Sequence, residues 1–151
     1  MADYKTITIT RLYDAPPALV FECWLKPEHL LHWYSAGGGW TTPHARTDPK
    51  KGGRFDIGFA GPVGPDGKNQ GAFDFTGTYD EIIPPAPGKN GRIAFTIDDG
   101  RPVIVDFADQ GGKTILTLVL ALEGTHSEEQ QQHGWTAMVE NLATYLERKA
   151  A

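Results

Sequence analysis

The groups in this chain with chemical capacity are a pair of histidines, one cysteine, a glycine run and a few polar residues set among apolar ones. In Glu28-His29-x-x-His32 two imidazoles stand three residues apart, on one side of a helix. That spacing is half of a metal site, yet it matches no zinc-protease pattern and has no evident third ligand, so two surface or edge histidines are expected. His44, His126 and His133 are scattered, and no metal site is expected from them. Cys23 lies in Val20-Phe21-Glu22-Cys23-Trp24-Leu25 with no histidine beside it. It reads as a buried packing residue rather than a reactive thiol, and as the only cysteine it forms no internal disulfide. Gly37-Gly38-Gly39 lacks the lysine and the following helix of a phosphate loop and reads as a flexible rim loop. No serine or cysteine stands in a nucleophile elbow. Arg54 and Asp56 alternate with apolar neighbours and read as a solvated pair on the outer face of a sheet. No catalytic residue and no cofactor emerge from these groups.

The elements that position these residues are well punctuated. Thr6-Ile7-Thr8-Ile9-Thr10-Arg11-Leu12-Tyr13 alternates as a strand does. Ala15 and Pro16 each precede a proline and are pushed to extended geometry, which makes Pro17 a natural first helical residue. The first helix is predicted over about Pro17 to Leu25, with Val20, Phe21 and Trp24 on one apolar face. Pro27 ends it and opens a second helix through Glu28 to Trp33, with the Glu28 charge at the positive end of the helix dipole. From Thr41 to Leu122 the pattern has period two. Phe55/Ile57/Phe59, Phe73/Phe75/Tyr79, Ile93/Phe95/Ile97, Val103/Val105/Phe107 and Leu116/Leu118/Leu120 each predict a strand with one apolar face, separated by turn residues such as Pro65-Asp66-Gly67 and Asp98-Asp99-Gly100. Gly77 marks a sharp bend or a close neighbour. A last helix is predicted over about Glu128 to Lys149, with Gln131, Trp135, Met138, Val139, Leu142 and Leu146 on one stripe and His133, Ala137, Glu140, Thr144 and Glu147 opposite. The class is α+β: a curved antiparallel sheet, a long C-terminal helix and two short helices after the first strand.

Composition narrows the functional classes. The 151 residues are 40% hydrophobic and 22% charged, as in an ordinary globular protein, and one domain over residues 1–151 is expected. A net charge of −5 without a lysine or arginine cluster argues against nucleic acid, which needs a basic surface to displace counterions. No apolar run approaches the ~20 residues that span a bilayer. The opening Met1-Ala2-Asp3-Tyr4-Lys5 has no basic segment followed by an apolar one, so a cytoplasmic location is expected.

Several short motifs fall in a familiar order: Asp14-Ala15-Pro16-Pro17, Val20-Phe21 with Trp24, Pro27-Glu28-His29, Trp33, Gly52-Gly53-Arg54-Phe55, Gly77-Thr78-Tyr79-Asp80-Glu81-Ile82-Ile83-Pro84-Pro85, Gln110-Gly111-Gly112-Lys113-Thr114 and Gly134-Trp135. In this order, and over about residues 5 to 148, the chain resembles bacterial members of the START-like (SRPBCC) superfamily related to the C-terminal domain of the activator of the heat-shock protein 90 ATPase. The resemblance implies a helix-grip fold, in which a curved sheet grips the C-terminal helix around a hydrophobic cavity. The chain departs from the pattern in two places. Trp33-Tyr34 is followed by Ser35-Ala36-Gly37-Gly38-Gly39-Trp40 where many relatives have a second tryptophan, and the Pro84 to Gly91 loop is longer than usual. Both departures are expected near the cavity mouth, with Trp33 and Trp40 at the ligand.

The cavity wall is then expected to be Phe55, Ile57, Phe73, Phe75, Tyr79, Phe95, Ile97, Val103 and Val105, facing Trp135, Met138 and Leu142, with Tyr79 and Gln131 as the polar groups that orient a ligand. The same residues equally describe a filled core. As a core residue, Trp135 would cost about 3–5 kcal/mol on truncation to alanine. The number of rings favours a flat aromatic or otherwise hydrophobic, lipid-like ligand. The leading functional reading is non-catalytic binding of such a molecule in sensing, sequestration or transport, by a monomer or homodimer. One alternative, which the resemblance brings, is a partner-binding module for a chaperone; the eukaryotic activators carry an additional N-terminal domain, so stimulation of a chaperone ATPase by these residues alone is not expected. A cyclase- or hydrolase-type enzyme using the same cavity is the other.

Overall fold

The computed structural model describes residues 4–35, 39–62, 64–67 and 71–150, so Gly37 and Gly38 of the glycine run lie outside the described residues. The elements are β1 (Thr6–Tyr13), α1 (Pro17–Leu25), α2 (Pro27–Trp33), β2 (Ala45–Thr47), β3 (Arg54–Ala60), β4 (Ala72–Ile83), β5 (Gly91–Ile97), β6 (Pro102–Gln110), β7 (Lys113–Ala121) and α3 (Glu128–Ala150). The strands form one antiparallel sheet in the order β1-β7-β6-β5-β4-β3-β2. From β2 to β7 each strand pairs with the next, whereas β1 closes the far edge against β7. The α1–α2 unit therefore carries the chain from one edge of the sheet to the other. This is the helix-grip architecture expected from the sequence.

The prolines act where the sequence reading places them. Pro16 is extended, with φ −69° and ψ 149°, and Pro17 opens α1. Lys26, with φ −82° and ψ 127°, both ends α1 and precedes α2, so the two helices meet without a loop. Their inner faces bury Val20, Phe21, Cys23, Trp24, Leu30 and Trp33, and Trp33 Nε1 donates to the Cys23 carbonyl at 2.9 Å. Burial pushes the Cys23 thiol up to about 12, with Lys149 opposing and Glu22 adding to the shift, so Cys23 is an unreactive packing residue. The short edge strand β2 has no clear signal in the sequence; it forms because Ala45–Thr47 pair with Phe55–Ile57.

Gly77 admits a close neighbour. It pairs with Phe55 across β3 and β4, and a Cβ there would stand 2.5 Å from Phe55 Cζ and 2.5 Å from the Thr96 carbonyl oxygen. The Phe55 ring covers the space where a side chain would be. Three residues later the register of β4 against β5 shifts between Tyr79 and Glu81, an irregularity of the kind that sharpens sheet curvature.

α3 lies across the concave face. Met138, Val139, Leu142 and Leu146 are buried, as the helical stripe requires. Three polar contacts pin the same half of the helix: the Tyr13 hydroxyl donates to the Val139 carbonyl at 2.8 Å, Asn141 Nδ2 donates to the Ser35 carbonyl at 2.8 Å, and His29 Nδ1 lies 2.6 Å from the Tyr145 hydroxyl. His32 stacks on the Tyr145 ring, with centroids 5.6 Å apart and planes within 9°. The two imidazoles thus dock α2 on α3 around one tyrosine. Among the described residues no helix is long and apolar enough to cross a membrane.

Two expectations follow from this packing. Gly77→Ala displaces the Phe55 ring and lowers stability by about 1–3 kcal/mol in urea denaturation. Burial, with Lys149 adding to it, holds His29 below its ordinary 6.5. The folded state keeps His29 neutral while the unfolded chain takes up a proton near that value. The contribution is therefore present above about pH 6.5 and is lost as the pH falls through the lower, folded value. Melting temperatures measured across about pH 7 to 5 should fall less steeply in His29→Gln than in the parent protein.

Candidate functional site

An open cleft of about 720 Å³ lies between the first half of α3 and the ends of β3, β4 and β5. That size is in the usual range for a small-molecule site. Its apolar lining is Tyr34, Trp40, Phe59, Phe73, Phe75, Ile97, Trp135 and Met138. Period-two alternation sends Phe59 from β3 and Phe73 and Phe75 from β4 to the concave face, and the α3 stripe brings Trp135 down to meet them. The rings form a connected wall. Phe59 and Phe73 stack at 5.1 Å, Trp40 meets Phe73 edge-on at 6.0 Å, Phe75 meets Trp135 edge-on at 6.0 Å, and Tyr34 lies 5.8 Å from Phe59. Phe73, at the mouth, is 55% exposed.

The structure divides the fifteen expected ligand residues in two. Trp40, Phe73, Phe75, Ile97, Gln131, Trp135 and Met138 line the cleft. Trp33, Phe55, Ile57, Tyr79, Phe95, Val103, Val105 and Leu142 do not; each is at most 4% exposed and packed in the core. Alternation marks every residue on the concave face. Over β6 and β7 the space is filled by α1, whose Phe21 meets Phe107 edge-on at 5.4 Å, together with the buried second half of α3. Phe55 instead backs the wall, touching Phe75, Tyr79 and Phe95 at 5.7, 5.2 and 5.1 Å. Trp135 is half-buried rather than a core residue, so the truncation cost expected for it as a core side chain is too high.

The polar groups also differ from expectation. The Gln131 amide is fully engaged: its Oε1 accepts from Glu123 N–H at 2.8 Å, and its Nε2 donates to the carbonyls of Glu123 and His126 at 3.0 and 2.9 Å. It clasps the β7–α3 connection. Tyr34, which the sequence reading passed over, is 2% exposed and lines the cleft, and its hydroxyl has no hydrogen-bond partner among the described residues. Burial, together with the neighbouring Tyr79 phenol, pushes its pKa up, so the group stays a neutral donor. Phe59 was legible from its alternation with Phe55 and Ile57; Tyr34 had only its place beside Trp33.

One end of the mouth is polar. The Arg54 guanidinium, paired in fork geometry with Asp98 at 2.6 and 2.7 Å, and the Thr76 hydroxyl at 2.6 Å hold the Asp98 carboxyl down at about 2. Arg54 and Asp56 share the outer face as expected but take different partners, since Asp56 faces His44. Asp99 pairs with Arg101 at 2.8 Å and Glu123 with His126 at 2.8 Å, so each of these three rim carboxylates has its own basic partner. The Pro84 to Gly91 loop, expected at the mouth, joins the opposite ends of β4 and β5 and is not part of the lining. A second groove of about 410 Å³ between β1 and the last turns of α3 offers one ring, Tyr13, whose hydroxyl is already bonded.

This fold recurs in solved proteins. The solution structure of the AHSA1-like protein from Aeromonas hydrophila is similar over 97% of this chain and 94% of that chain, with 32% identity and a TM-score of 0.81. A protein from Cytophaga hutchinsonii is similar over 96% of this chain and 94% of its own, with 32% identity and a TM-score of 0.73. At 18% identity, a protein from Nitrosomonas europaea shares the fold with a TM-score of 0.73. No protein of curated function matches the chain. The family model described as Activator of Hsp90 ATPase homolog 1-like protein matches residues 14–147. With its helix-grip sheet, its helix pair after the first strand and this match over most of its length, the chain belongs to the Activator of Hsp90 ATPase homolog 1-like family, within the START-like superfamily.

Proposed function

We propose that the protein binds a small hydrophobic molecule with a flat aromatic body in the cleft beneath the first half of α3, and that it acts by sensing, sequestering or carrying that molecule. The observation that carries this reading is the connected ring wall around a volume of about 720 Å³. Offset and edge-on ring contacts favour a flat partner and exceed simple area burial by about 0.5–1.5 kcal/mol per pair. Tyr34 adds direction. A hydroxyl on the cleft wall without a protein partner among the described residues favours a ligand that presents an acceptor, such as a carbonyl or ether oxygen, toward it. The rim pairs remain at the wet end, where a polar tail of the ligand meets them. The family's description brings a second occupant, a chaperone, and the same experiment separates the two.

Native mass spectrometry and thermal shift with a panel of flat aromatic and fatty-acid-like compounds should yield aromatic hits that raise the melting temperature in a dose-dependent way. Tyr34→Phe should weaken a carbonyl-bearing hit by about 0.5–1.5 kcal/mol, roughly two- to thirteenfold, while His133→Ala on the exposed face of α3 leaves it unchanged. Trp135→Ala should weaken binding about tenfold while costing about 1–2 kcal/mol of stability, less than the 2–5 kcal/mol expected for Leu142→Ala in the core. Indifference to the whole panel, with capture of a chaperone instead, would overturn the small-molecule reading. Equal losses for Trp135→Ala and His133→Ala would place binding elsewhere.

A further inference from the structure

On the outer face of the sheet, where Asp74 also borders the cleft, three side chains from three parts of the chain converge. His44 precedes β2, Asp56 belongs to β3 and Asp74 to β4. Phe55, Ile57 and Phe59 face the core, so Asp56 and Gly58 point outward, and Asp74 sits opposite Gly58 in the register. Gly58 makes the convergence possible. Its N–H donates to the His44 carbonyl at 2.9 Å, and a Cβ on it would stand 2.5 Å from His44 Cε1 and 2.6 Å from Nδ1. The imidazole therefore lies flat over β3, with Nε2 3.1 Å from Asp56 Oδ1 and 3.4 Å from Asp74 Oδ1. One ligating atom from each residue falls within 4.8 Å of the others.

The proton inventory of this cluster is short. Nε2 carries at most one hydrogen, and two carboxylate oxygens face it. Among the described residues no lysine or arginine pairs with Asp56 or Asp74. The two spacings from His44 Nε2 match a coordination polyhedron: at bonds of about 2.1 Å, adjacent ligands stand roughly 3.0 Å apart in an octahedron and 3.4 Å in a tetrahedron. A divalent ion in place of the shared proton satisfies all three donors and cancels the two negative charges. One imidazole nitrogen and two carboxylates suit zinc and its first-row neighbours better than calcium or magnesium, which prefer all-oxygen shells, or copper(I), which prefers sulfur.

We infer that His44, Asp56 and Asp74 form a binding site for a first-row divalent metal ion of the zinc type, with its remaining positions open to water. The ion ties the three-residue edge strand β2 to β3 and to β4, on the reverse side of the strand that carries Phe73 and Phe75. The sequence conceals the site, because its ligands are far apart in the chain and Gly58 brings them together only in the folded sheet.

Isothermal titration of the chelator-treated, full chain with zinc chloride, paired with thermal melts, tests this. The parent protein should bind one ion and melt higher with it. His44→Gln and, independently, Asp74→Asn should each weaken binding about tenfold or more and abolish the rise, while His133→Gln leaves both intact. Melts without zinc establish that each variant is folded, and Asp74 is mostly exposed, so its substitution spares the core. Absence of binding by the parent protein, or binding that persists unchanged in both variants, would overturn the site and leave the cluster as an ion pair.

Discussion

The docking of α3 into the sheet is the constraint on which the rest depends. Val139, Leu142 and Leu146 are buried in the apolar core, and each contributes about 1.5–3 kcal/mol of burial. The hydrogen bonds that fix the helix axis fall at Val139, Asn141 and Tyr145, all in its second half. The first half is held differently. Gln131 clasps the β7–α3 connection and Lys5 pairs with Glu128 at 2.7 Å, contacts that locate the helix start without pressing it onto the strands. One helix therefore closes the core at one end and roofs a cleft at the other.

That division explains how an aromatic-rich interior supports both stability and an opening. Phe55, Tyr79 and Phe95 form a buried layer whose rings interlock, helped by the absence of a side chain at Gly77. Above it, Phe75 touches both the buried layer and Trp135 on the roof. Phe73 and Trp40 continue outward to the mouth, where the exposed face of Phe73 leaves apolar surface in water that a bound molecule would cover. Binding sites commonly carry such a stability cost within an otherwise well-packed fold. Nε1 of Trp24, buried beside Tyr34, has no hydrogen-bond partner among the described residues, a further imperfection at this end of the molecule.

Much of the fold was legible in the sequence because proline, glycine and period-two alternation act locally. Pro16, Pro17 and Pro27 define α1 and α2 to the residue, and Gly77 announced a close contact that Phe55 supplies. The site was less legible. Alternation reports which face a residue takes, not whether the space above it is filled, so Val103 and Leu142 read the same as Phe75 and Trp135. Gln131 read as a polar group on an apolar stripe, but backbone groups of the preceding loop, invisible in the sequence, satisfy its amide. His29 and His32 suggested half of a metal site; their partner is Tyr145, brought near only when α3 docks.

Met138 offers the most direct test of the central claim that the roofed end of the helix encloses a ligand site. Met138 is buried at the core and also lines the cleft. With methyl-13C-methionine label and a flat aromatic compound that raises the melting temperature, the Met138 methyl resonance should shift through the ring current of the bound molecule. A compound that stabilises the protein yet leaves the Met138 resonance unmoved would contradict the account, because it would bind without entering the cleft.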